Sequence, residues 1–258
     1  MRGGLCLYAV VLALLGFEVF GVNGLGSMST IAASWNGSAE ATVCGILSGG
    51  VQGIRCVRGS REIDVSPNVS FLGVSGGEGF FCGLREGGFQ LLCWNFVDGL
   101  PSVRPKRISK RTALLEIVVG RSHIYGLVNG TSNVLCWRGD SVAPKTEHFD
   151  SISAGSNLTC GLSGNQSAAC WDMNGTMFWT ESDFELRSIV AGGGHFCGNR
   201  EDGVLACWGR NDVGQANVPL HLPFQFDSLA LGERHSCAIW RMNKTVICWG
   251  IVPAVSEK

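Results

Sequence analysis

The residues with the most reactive chemistry in this chain are its twelve cysteines and five histidines, and their spacing is regular. The stretch HFCGNREDGVLACWGRNDVGQ, residues 195–215, holds His195, Cys197 and Cys207. Thiolates and an imidazole at short spacing open three chemistries: a zinc site, a redox thiol pair, or a structural disulfide. Zinc ribbons and fingers draw paired ligands from Cys-X-X-Cys turns, and no two cysteines of the chain stand three apart. The same absence removes the thioredoxin-like reading. Disulfides remain, and they require an oxidising compartment.

The N-terminus supplies that compartment. Arg2 gives a positive start, Leu5 to Phe17 is apolar, and Val22 and Gly24 are small residues before a cleavage point. Glu18 interrupts the run before it reaches the roughly twenty residues of a membrane span. Residues 1–24 therefore read as a secretory signal peptide, with 25–258 as the exported body. Asn36, Asn68, Asn129, Asn157, Asn165, Asn174 and Asn243 each begin an Asn-X-Ser/Thr sequon, which agrees with passage through a glycosylating compartment.

The elements that position the cysteines form a repeat. TVCGILSGGVQGIRCV, FFCGLREGGFQLLCW, HIYGLVNGTSNVLCW, LTCGLSGNQSAACW, HFCGNREDGVLACW and HSCAIWRMNKTVICW align, and their second cysteines are Cys56, Cys93, Cys136, Cys170, Cys207 and Cys248. The step is about 38 residues, the size of a propeller blade or other arrayed unit. Within a unit two cysteines bracket a Gly-, Asn- or Asp-rich turn, which is the spacing of a β-hairpin with facing thiols. The pairs are Cys44/Cys56, Cys82/Cys93, Cys160/Cys170, Cys197/Cys207 and Cys237/Cys248. Alternation then sends Trp94, Trp137, Trp171, Trp208 and Trp249 to the opposite face, as packing between sheets. Gly77, Gly120, Gly155, Gly192 and Gly232, each five residues before the first repeat position, predict a tight turn or close backbone approach. The segments after Cys248 and between Gly24 and Cys44 together make one ordinary spacer, so both termini complete the last blade. The fold class is all-β: a propeller of about six blades with hairpin disulfides inside the blades.

The remaining candidates are weighed against packing. His123, His195 and His235 share one repeat position, held elsewhere by Thr42, Phe80 and Leu158, and a position that accepts Phe and Leu is a packing position. No Ser-His-Asp or paired-carboxylate arrangement stands out. Cys136 has Tyr125 in its partner position, leaving either a buried inert thiol or an intermolecular disulfide that builds a homodimer. RPKRISKR, residues 104–111, reads as a solvated basic loop, with acidic polysaccharide, anionic lipid or proteolysis as sharper alternatives. A net charge of -1, from 20 basic and 21 acidic residues, argues against a nucleic-acid partner. No cofactor or metal is expected.

The stretch DGVLACWGRNDVGQ, with Trp208-Gly209 and Asn211 to Gly214-Gln215, resembles the repeat of the chromatin-condensation-regulator propellers. The Cys-Gly-Leu to Cys-Trp-Gly unit, together with LGSMSTIAAS directly after the signal, resembles the ectodomain of the crinkly family of plant receptor-like serine/threonine kinases. The founding type of that family has seven repeats against the six counted here, which is similar to its crinkly-related branch and keeps seven blades open as the alternative. The resemblance implies an extracellular propeller that senses a peptide or protein, presented at the cell surface by a C-terminal anchor. The Gly-rich loop, His-Arg-Asp and Asp-Phe-Gly of the family's kinase domain are not in this sequence, so the chain itself is expected to be no enzyme. The rival function is a secreted module for wall carbohydrate, with Trp35, Trp179 and Trp240, which lie outside the Cys-Trp positions, stacking on sugar rings.

Overall fold

In the computed structural model the described residues are 29–34, 41–102, 104–138, 143–144, 148–179, 185–219 and 225–251. They are built from 22 strands, with no helix among them. The strands form six antiparallel sheets in chain order: sheet 1 (residues 31–65), sheet 2 (71–109), sheet 3 (114–137), sheet 4 (151–179), sheet 5 (186–209) and sheet 6 (226–250). Each sheet contains one repeat of the sequence. The chain divides into two compact units, the boundary lying between Ile152 and Ser153.

Each sheet is a meander in which the two strands bearing the repeat's cysteine positions are neighbours. In sheet 5, His195–Arg200 pairs with Leu205–Gly209 and Cys197 stands directly opposite Cys207. Gly203 closes this hairpin at φ 82°, a left-handed conformation that glycine adopts without penalty. The first strand repeats a second device. In sheets 2, 3, 5 and 6 its register shifts at the same place, between Phe71 and Gly73, Leu114 and Glu116, Leu186 and Ser188, and Phe226 and Ser228. The extra residue at each bulge, Leu72, Leu115, Arg187 or Asp227, is exposed, while the residue before it is a buried Phe or Leu.

Alternation along the strands decides which sheets meet. In the unit of residues 26–152, Cys44 and Cys56 of sheet 1 pack with Phe71, Phe81 and Trp94 of sheet 2. Cys82 and Cys93, on the other side of sheet 2, pack with Leu114, Ile117 and Ile124 of sheet 3. From residue 153 onward the pattern recurs: Cys160 and Cys170 of sheet 4 meet Phe196 and Trp208 of sheet 5, and Cys207 meets Trp249 of sheet 6. A disulfide face is thus covered by the aromatic face of the following sheet. Trp94 is fully buried and stacks on Phe81 with ring centroids 4.9 Å apart and planes 7° apart. Such stacking adds about 1 kcal/mol to the area buried.

Two expectations change here. The basic segment is not wholly a loop: Lys106–Ser109 is an outer strand of sheet 2, with Arg107 opposite Leu92 and Lys106 opposite Cys93. Sheet 6 is built in the described residues from 226–250 alone, and Ile31–Ser34 pairs within sheet 1. Of the two segments expected to complete the last blade together, Ile31–Ser34 belongs to sheet 1, while residues 25–28, 35–40 and 252–258 lie outside the described residues, as does the signal peptide.

Candidate functional site

All five expected cysteine pairs are joined: Cys44–Cys56, Cys82–Cys93, Cys160–Cys170, Cys197–Cys207 and Cys237–Cys248. Their Cα atoms are 4.0–4.1 Å apart, the short spacing of directly opposed antiparallel residues. In sheet 3 the fully buried Tyr125 faces Cys136 in the same register, so an aromatic ring takes the place of the first cysteine. The Tyr125 ring meets His123 edge-on, with centroids 5.2 Å apart. Cys136 is half-buried.

The turns between first and second strands converge in the unit that starts at Ser153. The amide of Ser156 (sheet 4) donates to the Gly192 carbonyl (sheet 5) at 3.3 Å, and the Gly193 amide donates to the Gly232 carbonyl (sheet 6) at 3.0 Å. Glycine is needed for this approach, since a Cβ at Gly155 would lie 1.9 Å from the Gly192 oxygen. Gly193 leaves room for Glu233, whose carboxylate accepts a hydrogen bond from the Ser156 hydroxyl. Three successive sheets are therefore tied at one end by backbone bonds and by one side-chain bond that reaches from sheet 4 to sheet 6.

Beside this cluster the GRNDVGQ stretch forms a closed polar network. Asp212 is bridged by Arg210 at 2.8 Å and Arg234 at 3.3 Å. The Gln215 amide also donates to it, and these bonds, Gln215 first and then Arg210, pull its carboxyl down to about 2. Gln215 is fully buried, and its carbonyl accepts from the Ser236 hydroxyl at 2.8 Å and the Trp249 indole at 2.9 Å. The Asn-X-X-Gly-Gln motif is therefore an architectural clasp between sheets 5 and 6.

One pair has the form of a catalytic dyad. His195 Nε2 lies 2.8 Å from Ser236 Oγ, the contact by which a base activates a nucleophile. Its surroundings deny it that chemistry. Both side chains are fully buried, and the serine proton is committed to the Gln215 carbonyl. The Nε2–H of a neutral imidazole then donates to the serine oxygen, while Nδ1 has no hydrogen-bond partner among the described residues. Burial first, then the neighbouring His235, lowers the pKa of His195; burial alone lowers that of His235, and it takes His123 to about 4. The shared histidine position is a packing position, as its occupancy by Phe80 and Leu158 implies. No group of three or more metal-ligating side chains exists among the described residues.

Asn68, Asn129, Asn157, Asn165, Asn174 and Asn243 are all exposed, while Asn36 lies outside the described residues. Of the three tryptophans suited to stacking on sugar, Trp35 also lies outside them, and Trp179 ends the outer strand Met177–Trp179 of sheet 4. Trp240 packs against the cluster of Leu205, Phe226, Ala238 and Trp249, so it is core filling rather than an open platform. Sequence reasoning passed over Glu116, a buried carboxyl of sheet 3 whose Oε2 accepts the Ile152 amide at 3.0 Å. Desolvation raises it from 4.5 to about 7 against the opposing pull of that amide.

The described residues are thus a series of antiparallel sheets, five of them braced by a hairpin disulfide, with turns tied by backbone bonds in sheets 4 to 6. The profile of the regulator of chromosome condensation (RCC1) repeat matches residues 186–215. Among solved structures, the chain is similar to the CRINKLY WD40 ectodomain of the Arabidopsis thaliana receptor kinase ACR4, with 29% identity and TM-score 0.69, over 88% of this chain and 83% of that one. The entire ectodomain of the Physcomitrella patens receptor kinase CR4 gives 26% identity and TM-score 0.68, covering 88% of this chain and 64% of that one. Yeast RCC1 (Prp20), at 15% identity and TM-score 0.65 over 81% of this chain and 68% of that one, shares the fold. The described sheets are thus of the β-propeller class. In sequence, the chain is 32% identical to the Arabidopsis thaliana serine/threonine-protein kinase-like protein CCR4, over 71% of this chain and 23% of that protein. It is 35% identical to the Arabidopsis CCR3, a putative kinase-like protein by its name, over 58% of this chain and 19% of that protein. The homologues are crinkly-like serine/threonine kinase-like proteins, and this chain spans about a quarter of their length. What it resembles in structure is the ectodomain of the receptor kinases ACR4 and CR4.

Proposed function

We propose that this chain is the extracellular sensing propeller of a crinkly-type receptor system, binding a peptide or protein ligand without chemistry of its own. The observation that carries the reading is the joining of five hairpin disulfides, one in each of five sheets, in a chain whose structural neighbours are receptor-kinase ectodomains. Disulfides suit a secreted protein. Residues 1–24 serve as its signal peptide, and the six exposed sequons and Asn36 serve as glycan sites. No helix among the described residues is long and apolar enough to cross a membrane. The scaffold is stiff where ligand contacts are made: Ser156, Glu233 and Arg234 sit on turns fixed by backbone bonds, and recognition residues are commonly loops on such frames.

The test is binding by the secreted, oxidised chain to a synthetic library of secreted peptides. At least one peptide is expected to bind reversibly, with loss of binding on reduction and weaker binding in a Glu233→Gln variant, which still accepts the Ser156 hydroxyl and loses only the charge. A chain that remains unglycosylated inside the cell, or a library and extracellular fluid that yield no saturable ligand, would refute the reading.

A further inference from the structure

The basic segment is the feature that this function leaves unused. Arg104, Lys106, Arg107, Lys110 and Arg111 are all exposed, and none takes part in the ion pairs of the described residues. Between Asp98 and Glu116 the chain carries no carboxylate, and Glu116 itself is buried. The five charges therefore go unneutralised by their own segment. Two of them, Lys106 and Arg107, stand on the strand Lys106–Ser109, which is held on sheet 2 by its pairing with 91–93, and no further strand joins its outer side among the described residues. Lys106 and Arg107, on the strand itself, serve to blunt the sheet edge against aggregation. Arg104, Lys110 and Arg111 lie outside the strand, so that role leaves them unused.

An aromatic side chain stands beside them. Ser109 pairs with Leu91, and the Leu114 amide donates to the Gly88 carbonyl at 2.9 Å, so residues 110–113 run alongside Phe89 and Gln90. Phe89 is 54% exposed, an unusual state for a phenyl ring. The apolar residue of the strand itself, Ile108, packs inward on the core between sheets 2 and 3. The strand thus has no apolar side chain of its own to insert into a bilayer.

We propose that this edge of sheet 2, residues 104–111 with Phe89, binds a carboxylated polysaccharide. The guanidinium and ammonium groups pair with successive carboxylates, and the Phe89 ring offers a face to the C–H side of a sugar ring. A flexible polyanion can reach cations on both faces of an edge strand and beyond its ends, whereas a headgroup surface demands a broader plane with apolar insertion. This site lies on a different sheet from the tied turns of sheets 4 to 6, so it stands or falls independently of the peptide-sensing reading.

The experiment is binding of the full secreted chain to polygalacturonate, with its fully methyl-esterified form, neutral dextran and phosphatidylserine vesicles as parallel probes. Polygalacturonate should bind and weaken as salt rises. The methyl ester, which keeps the backbone and loses the charge, should bind at least about ten-fold more weakly to the unaltered protein, as expected for several exposed ion pairs acting together. The variant with Arg104, Lys106, Arg107, Lys110 and Arg111 all changed to Gln should lose binding to a similar degree while melting like the wild type, and Phe89→Ala should lose part of it. Equal binding of acid and ester, undiminished binding by the five-site variant, or a preference for vesicles over polygalacturonate would each overturn the proposal.

Discussion

Replacing Glu116 with Gln tests the electrostatics of the fold most directly. The carboxyl is buried in sheet 3 and keeps one protein hydrogen bond, from the Ile152 amide, which a glutamine carbonyl can also accept. Holding a carboxyl at about 7 instead of 4.5 means that its ionised form costs the folded chain about 3 kcal/mol. Below pH 4.5 the group is protonated folded or unfolded and the cost vanishes. As pH rises toward 7 the unfolded chain loses the proton first, so the folded state binds more protons and stability falls across that window. Above it the full cost persists. Glu116→Gln should therefore match the wild type near pH 4.5 and exceed it by about 3 kcal/mol at pH 8, the difference opening between those values. The assay is urea unfolding of the oxidised protein at a series of pH values, read as the difference between the two proteins so that other titrating groups cancel. Parallel curves, or a wild type more stable than the variant at pH 8, would show that the carboxyl is solvated or paired and that the argument is wrong.

Other outcomes follow from the same geometry. His123→Phe, which installs the residue found at this position in sheet 2, should flatten the acid limb of stability between pH 6.5 and about 4, where the unfolded histidine takes up a proton that the buried one resists. Thermal unfolding across that range checks it. Gly155→Ala should cost about 3 kcal/mol or prevent secretion, because its Cβ meets a backbone oxygen that is unable to move aside, whereas Gly194→Ala, with only the Arg210 side chain 3.6 Å away, should be nearly silent. Removing Cys160 and Cys170 together should lower unfolding free energy by about 3 kcal/mol, the loop-closure entropy of a ten-residue ring, as measured by urea titration under non-reducing conditions.

The cysteine ladder was readable because a disulfide in a hairpin demands directly opposed positions, and strand alternation then fixes the side on which the tryptophans fall. The histidines were readable by the same logic, since Phe80 shares their place. What escaped notice breaks alternation or sits at an edge. Glu116 follows a bulge at Leu114 and is buried beside the buried Ile117, so the strand there loses the alternation by which a sequence reading tells a buried position from an exposed one. The strand Lys106–Ser109 is short, charged and preceded by Pro105, all features that argue for a loop until a neighbouring edge is seen to accept it. Trp240 looked like an outlier of the Cys-Trp pattern, yet the first strand of its own sheet covers it, through a contact that only the assembled sheet reveals.

The covering of the disulfide faces of sheets 1, 2, 4 and 5 by the following sheet has a consequence for descent. Every junction of this kind joins unlike sides in the same order, as in a row of tiles with a tongue on one edge and a groove on the other. A duplicated unit brings both edges with it and fits between any two existing ones without new side-chain chemistry at either seam. Gene segments encoding one repeat can therefore be gained or lost while the surviving seams keep their residues. Blade number then becomes the quantity free to drift among relatives, and the joint between neighbours becomes the quantity held constant.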